Sequence, residues 1–575
     1  MSNFTSQHMT IGDFLLRRLE EAGVRHLFGV PGDYSLELLQ QLQDTGAMEW
    51  VGTCSELNAS YAADGYARLK GLGALLVTNG VGALSAINGI GGCYSEHVPV
   101  ICIAGSIPLR SLDRGLGMHH TMADGSWDHF LNAFAQVTAA HARLTPRNAA
   151  TEIDRLILTA WREKLPVYME LPSDIAYLEI EVPISPLVLA HASSDAERLR
   201  SCIGAIAERL AAATSPAILV DADADRFSVA PDLMALAEKI QAPIAVIVAA
   251  KGVIDERFAH YAGVYNGEAS EPHVRKAIET SDCVLAIGYR PIEVTTGHFS
   301  ASLPGNTIHA RGHSVDVGDD NYQGVTLKEV LAGVVDAVPR VTNRAPWHLP
   351  VTVAAAPVDG DGSAKLTQPA YWQAMQGYLR EGDVLFVDNG TAFTLFGLRL
   401  PSKCTFVGSV NWGSIGYSVG ALLGALTAAP ERRHILFVGD GSFQVAAQEL
   451  STILRHGHKP VIFLINNGGY TIERGYLGKD ETYNNVANWA YADLPKVFRR
   501  DTSARSFVVE TVRDLRNALD APNDTLIFVE SIMDPYDALF PITNSSNKGA
   551  EFDYGPRGPQ HRDNLQLRPA IETGH

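Results

Sequence analysis

Apolar and polar positions along the 575-residue chain alternate between short apolar runs and longer runs of helical spacing. "HLFGVPG" precedes "DYSLELLQQLQ", "GALLVTNG" precedes "VGALSAINGI", and "VPVICIAGS" follows. Unbroken apolar runs of this length, closed by glycine, read as strands buried on both faces, with the intervening segments as crossover helices. That pattern predicts parallel sheets. A second block begins near Asp195 with "DAERLRSCIGAIAERLAAA" and continues through "SPAILVDADA", "PIAVIVAAKG" and "CVLAIGYRP". A third runs "VLFVDNG", "NWGSIGYSVGALLGALTA", "HILFVGDGS", "VAAQELSTILRHG", "PVIFLINNGGY". Its plan echoes the first block, so a duplicated fold with a divergent insert is expected. The predicted class is α/β, with three doubly wound parallel-sheet domains. They cover 1–188, 189–345 and 366–550, with a Pro/Ala/Gly/Asp-rich linker at 346–365 and a polar tail at 551–575.

The stretch from Gly71 to Ser95 carries no charge and is long enough to cross a bilayer. Asn79, Asn88 and its many glycines point instead to a buried strand, a Gly-rich loop and a buried helix. The formal net charge of -18 argues against a nucleic-acid partner, which needs a basic face. The six cysteines are scattered and include no C-x-x-C pair. They read as small buried hydrophobes of a reducing compartment. The N-terminal "MSNFTSQHMTIGDFLL" lacks the basic-then-apolar form of a signal peptide. A cytoplasmic location is therefore expected.

The strongest chemical signal is in the third block, where "ILFV" delivers "GDGS" (Gly439, Asp440, Gly441, Ser442) and the next strand ends at Asn466 and Asn467. A buried strand brings such a turn to the carboxyl edge of the sheet, where open α/β folds bind ligands. Glycines let backbone N–H groups approach an anion, and the following helix N-terminus favours phosphate. Asp440 and Asn467 offer hard oxygens for Mg²⁺, which also takes diphosphate oxygens, and Gly469 can offer a carbonyl. A second oddity is "GLGMHHTMADGSWDHF", with adjacent His119 and His120. Neighbouring side chains point apart on a strand or a helix. The pair is therefore expected to ligate one ion poorly and to divide two jobs, one imidazole serving proton transfer and the other holding a carboxylate or the loop.

The GDG…NN arrangement resembles the thiamine diphosphate-binding signature. The likeness covers most of the chain, from about Ile11 to Ile542, and is to the 2-oxo acid decarboxylases, the pyruvate and indolepyruvate decarboxylase group. "FGVPGDYSLELL", "ELNASYAADGYAR", "HHTMADGSWDHF", "NWGSIGYSVG" and "GGYTIERGY" stand in that family's order. The resemblance implies that the first domain binds the cofactor's pyrimidine and the third its diphosphate and Mg²⁺. It implies non-oxidative decarboxylation of a 2-oxo acid to an aldehyde and CO₂, through a thiamine diphosphate C2 adduct and an enamine. Asp33, Glu56, His119, His120 and Glu473 become the catalytic candidates. Glu56 is the cofactor-activating carboxylate, and the others are proton donors. Cofactor contacts are expected from Glu56, Thr391, Gly413, Ser414, Ile415, Asp440, Gly441, Ser442, Asn467, Gly469, Tyr470, Thr471 and Ile472. Ile415 would bend the cofactor, and the Gly413 carbonyl would accept from its amino group. In the family the two halves of the site come from different subunits, so a homodimer is expected, and a dimer of dimers beyond it.

Pyruvate-specific members tend to carry a bulky Trp where this chain has Ala392, followed by Phe393. Gly475, followed by Tyr476, is likewise small where a larger side chain would crowd the pocket. Aromatic or branched 2-oxo acids such as phenylpyruvate, indolepyruvate and 2-oxoisovalerate are therefore expected, with pyruvate as the alternative. An acetolactate-synthase-like carboligase would lack the His-His pair and the Asp of "PGD". A flavin oxidase would need a G-x-G-x-x-G turn in the middle block, which is not there. A catalytically dead scaffold would have lost Glu56 or the Asp440/Asn467 pair.

Overall fold

A computed structural model describes residues 6–191, 193–341, 347 and 362–539. The tail expected at 551–575 and most of the linker at 346–365 lie outside the described residues. The described part contains three sheets of six or seven strands and one two-stranded ribbon, Ser6–Thr10 against Glu179–Pro183. The first sheet runs Glu49–Gly52, His26–Gly29, Gly73–Thr78, Val100–Ser106, Val167–Pro172, Ala140–Arg143, all parallel. The third runs Thr405–Gly408, Val384–Val387, His434–Gly439, Val461–Asn466, Ile527–Ile532, Arg505–Val509, also parallel. Numbered in chain order within each sheet, both read 2-1-3-4-6-5 across it. The duplication expected from the apolar rhythm is therefore present as an identical strand order.

The middle sheet reads 3-2-1-4-5-6-7, and its last two strands are antiparallel. The reason is local. Gly312–His313 and Gly318–Asp319 leave only two residues between neighbouring strands, and a tight hairpin can join only antiparallel partners. The uncharged stretch at Gly71 resolves into the strand Gly73–Thr78 and the helix Val81–Ser95. No helix among the described residues is long and apolar enough to cross a membrane.

The first and third domains share one continuous apolar core, which includes Phe28, Leu75, Val438 and Phe528. At its centre the helix Glu56–Lys70 lies against the helix Tyr417–Ala428. Both are rich in Gly and Ala and buried round most of their circumference, unlike a one-faced surface helix. Their backbones nearly touch: a Cβ at Gly424 would lie 1.8 Å from the Ala62 carbonyl oxygen. The junction also buries charge, with Arg68 bonded to Asp64 at 2.6 Å and Tyr417 donating to the same carboxylate. The middle domain attaches through Arg290 to the Ser95 carbonyl (2.5 Å) and through His97 paired with Asp223 (2.7 Å).

Candidate active site

The third-domain half of the site sits at the carboxyl ends of two adjacent strands. His434–Gly439 ends directly in Asp440, the first residue of the helix Asp440–Ala446. Asp440 is buried. Its two oxygens accept from the N–H of Gly441 (2.7 Å) and of Gly469 (3.1 Å). Burial raises its pKa, and the backbone N–H groups around it only partly oppose that. No cationic side chain among the described residues pairs with it. A buried carboxylate without a countercharge is costly, and a divalent cation is the group that relieves it. Asn467 Nδ2 donates to Thr471 Oγ1 at 2.8 Å, which leaves Oδ1 to meet a ligand. Its neighbour Asn466 turns inward to Glu530 (2.8 Å), so the two asparagines of the motif have different tasks. A Cβ on Gly441 would lie 2.5 Å from the Tyr470 ring, so only glycine fits this turn.

The segment 411–416 approaches this turn at Gly416, where a Cβ would lie 3.2 Å from the Ser442 carbonyl oxygen. Gly413 is exposed, and Ser414 and Ile415 are half-buried. Ser414 Oγ is 2.7 Å from the Tyr61 hydroxyl, on the helix that begins with Glu56. Two buried carboxylates that sequence reading missed hold the segment. Asp388 accepts from the N–H of Gly416 (3.3 Å) and of Ser418 (3.1 Å). Glu96 accepts from the N–H of Asn411 (2.7 Å) and of Trp412 (3.1 Å). Burial raises the pKa of each. Neither lies in a recognisable motif. Asp388 directly follows an apolar strand, which is the only local signal either carries.

The first-domain half is a separate cluster. Glu56 is the first residue of its helix, capped by Ser55, whose side chain accepts from the Asn58 N–H. Its Oε1 lies 3.1 Å from where a Cβ at Gly82 would sit. Asp33 Oδ2 and His119 Nε2 are 2.9 Å apart. Tyr34 stacks on His119 at 5.0 Å between centroids, and its hydroxyl is 3.2 Å from His119 Nδ1. The two histidines do not point apart. His120 has a left-handed φ of 58°, and the rings meet edge-to-face with centroids 4.4 Å apart. The expectation of divergent imidazoles took regular strand or helix geometry for granted, and this segment is neither.

Three domain families match the chain in order. They are "Thiamine pyrophosphate enzyme, N-terminal TPP binding domain" over 9–129, the central domain over 203–334, and the C-terminal TPP binding domain over 388–529. A pyruvate decarboxylase of Aspergillus terreus is 40% identical over 513 residues, covering 88% of this chain and 90% of the relative. Pyruvate decarboxylase isozyme 2 of Saccharomyces cerevisiae is 38% identical, covering 85% and 89%. An alpha-keto-acid decarboxylase of Mycobacterium leprae is 37% identical, covering 92% and 93%. The chain belongs to the thiamine diphosphate-dependent 2-oxo acid decarboxylases. It is accordingly a carbon–carbon lyase.

Within one chain of this decarboxylase, no hydrogen bond or ion pair among the described residues joins the Asp33–His119–His120 cluster or Glu56 to Glu473 or Asp440. Glu473 is exposed on the short helix Thr471–Tyr476. The candidate residues thus fall into two groups not bonded to each other directly. Thr391 and Ser442 are buried beside the Asp440 turn, with Ser442 Oγ donating to the Asn389 carbonyl at 3.3 Å. Of the pocket candidates, Ala392 is packed into the third domain's core, Phe393 is half-buried against Phe396, Gly475 is exposed and Tyr476 half-buried. A second expectation fails as well: five cysteines are buried as foreseen, but Cys54 is exposed. It precedes the cap of the Glu56 helix, in a loop whose N–H is held by Glu449 at 3.1 Å.

Proposed function

We propose that the chain converts a 2-oxo acid to an aldehyde and CO₂ without oxidation, in a site completed by a second copy of itself. The Asp440 turn carries this reading: a buried, uncompensated carboxylate facing Asn467 suits Mg²⁺ and a diphosphate, with the Gly469 carbonyl as a further ligand. Bound thiamine diphosphate supplies the electron sink that lets a 2-oxo acid lose CO₂. The residues around it bind, orient and move protons. Thr391, Ser414, Gly441, Ser442, Tyr470, Thr471 and Ile472 line the cofactor's path. Ile415 would hold it between its two rings, and the Gly413 carbonyl would accept from its amino group. Glu56 would hold its pyrimidine by a hydrogen bond to the ring nitrogen. Asp33, His119, His120 and Glu473 hold and deliver the protons needed before an aldehyde can leave.

A second copy is supported by what borders the two half-sites. Val81 and Leu84 on the first domain, and Trp412, Val445 and Leu477 on the third, are large apolar side chains left between 39% and 58% exposed. Six free thiols support a reducing, cytoplasmic setting. Two observations divide on the substrate side chain. Most of the similar proteins are named pyruvate decarboxylases, and Ala392 is spent in the core, which favours pyruvate. Gly475, exposed two residues after Glu473, leaves room for branched or aromatic acids. Measuring aldehyde and CO₂ from pyruvate, 2-oxoisovalerate, phenylpyruvate and indolepyruvate, with thiamine diphosphate and Mg²⁺ present, decides both points. Highest kcat/KM on pyruvate supports the first reading, and highest on an aromatic acid the second. Acetolactate in place of any aldehyde would overturn the decarboxylase proposal.

A further inference from the structure

We propose that Asp33, His119 and His120 form a binding site for a transition-metal cation of the Zn²⁺ type, distinct from the Mg²⁺ position at Asp440, and that occupying it inhibits the enzyme. Among the described residues these are the only three metal-ligating side chains that offer one ligand atom each within 4.8 Å of one another. The left-handed φ of His120 makes this possible by folding two adjacent imidazoles onto one centre. Tetrahedral Zn²⁺ with bonds of about 2.0–2.2 Å needs ligand atoms about 3.3 Å apart. The Asp33–His119 pair is already at 2.9 Å, and the His120 ligand atom lies within 4.8 Å of both.

The surroundings are those of a ligand set. The Tyr34 hydroxyl at His119 Nδ1 fixes the ring's orientation and leaves Nε2 toward the carboxylate, the outer-shell arrangement typical of metal-bound histidine. His120 Nδ1 is buried with no hydrogen-bond partner. Asp33 and His119 are about half exposed, at 49% and 56%, so an ion can enter and keep a water in the fourth position. Two imidazoles and one carboxylate favour Zn²⁺, Co²⁺ or Cu²⁺ over Mg²⁺, whose preference is for oxygen. Metal at this centre takes the lone pairs that the proposed proton transfers need, which is why inhibition follows. That part rests on the decarboxylase reading, and the binding itself does not.

The test uses the full chain loaded with thiamine diphosphate and saturating Mg²⁺. Zn²⁺ is titrated against a fluorescent zinc chelator, and Co²⁺ absorption is recorded in parallel. One Zn²⁺ per chain and an intense four-coordinate Co²⁺ band are expected. Asp33→Asn, His119→Gln and His120→Gln should each weaken Zn²⁺ binding by at least about tenfold and abolish that band. Tyr34→Phe should weaken binding while keeping the band. Circular dichroism establishes that each variant is folded. Zn²⁺ affinity unchanged in the three ligand variants, or lost instead in Asp440→Asn, would overturn the site. Zn²⁺ bound at this centre without loss of turnover would overturn the inhibition. Neither binding readout needs catalysis, so failure here and failure of the proposed reaction are separable.

Discussion

Glu56 owes its place to one local decision, the Ser55 cap that starts its helix so that the carboxylate emerges from the first turn beside a side-chain-free Gly82. Glu56→Gln keeps the shape and removes the charge. Its kcat should fall by about 10²–10⁴, the usual span for a proton-handling side chain, with cofactor affinity retained. Stopped-flow turnover beside a cofactor titration by tryptophan fluorescence checks both halves, and undiminished kcat would remove Glu56 from the mechanism. Gly441→Ala should act in the opposite way. A methyl 2.5 Å from the Tyr470 ring must displace the ring or the turn, so cofactor affinity should drop first. The same titration reads it. Gly441 was legible in sequence because it lies in a motif that spacing exposes, and Glu56 only because its segment resembles one of the family's. Asp388 and Glu96 were not, because they act on the backbone of a segment distant in sequence. The meeting of His119 and His120 was not either, since it depends on one left-handed φ in a loop.

The strand His434–Gly439 begins with a histidine that nothing in the pattern singles out. His434 is buried at 1% exposure, and its Nδ1 donates to the Arg432 carbonyl. Burial pushes its pKa down to about 4. Since the folded pKa lies below the unfolded one, the folded state favours the neutral ring. The contribution is present in full above the unfolded value near 6.5 and is lost as pH falls toward 4. Between pH 7 and pH 5 the loss is about 2 kcal/mol. His434→Phe should therefore show a smaller drop in unfolding temperature across that interval than the wild-type chain. Equal drops in calorimetry would place the acid sensitivity elsewhere. The strand itself was readable from its unbroken apolar run. The cost of its first side chain was not, because desolvation is set by the helix and sheet that cover it.

At the scale of the whole molecule, the repeated 2-1-3-4-6-5 order puts two similar ligand-binding edges on one chain, joined by the helices Glu56–Lys70 and Tyr417–Ala428. The duplication was legible because strand and helix periods survive divergence. The antiparallel edge of the middle sheet was not, since two short Gly-containing turns decide it. Nor does any period in a single chain reveal whether its own Glu56 and Glu473 share one site. If a twofold axis completes the site, Glu56 of each chain meets Glu473 of its partner. Mixed dimers of Glu56→Gln and Glu473→Gln chains then contain one doubly altered site and one intact site. Co-refolding or co-expressing the two variants should restore decarboxylation that neither shows alone, to about a quarter of wild-type per chain if the chains mix at random. A site built within one chain cannot give this result, because every site would carry a lesion. Steady-state rates on the separated mixed species, with light scattering to confirm the dimer, distinguish the two arrangements. No recovery would mean that the half-sites close within the chain.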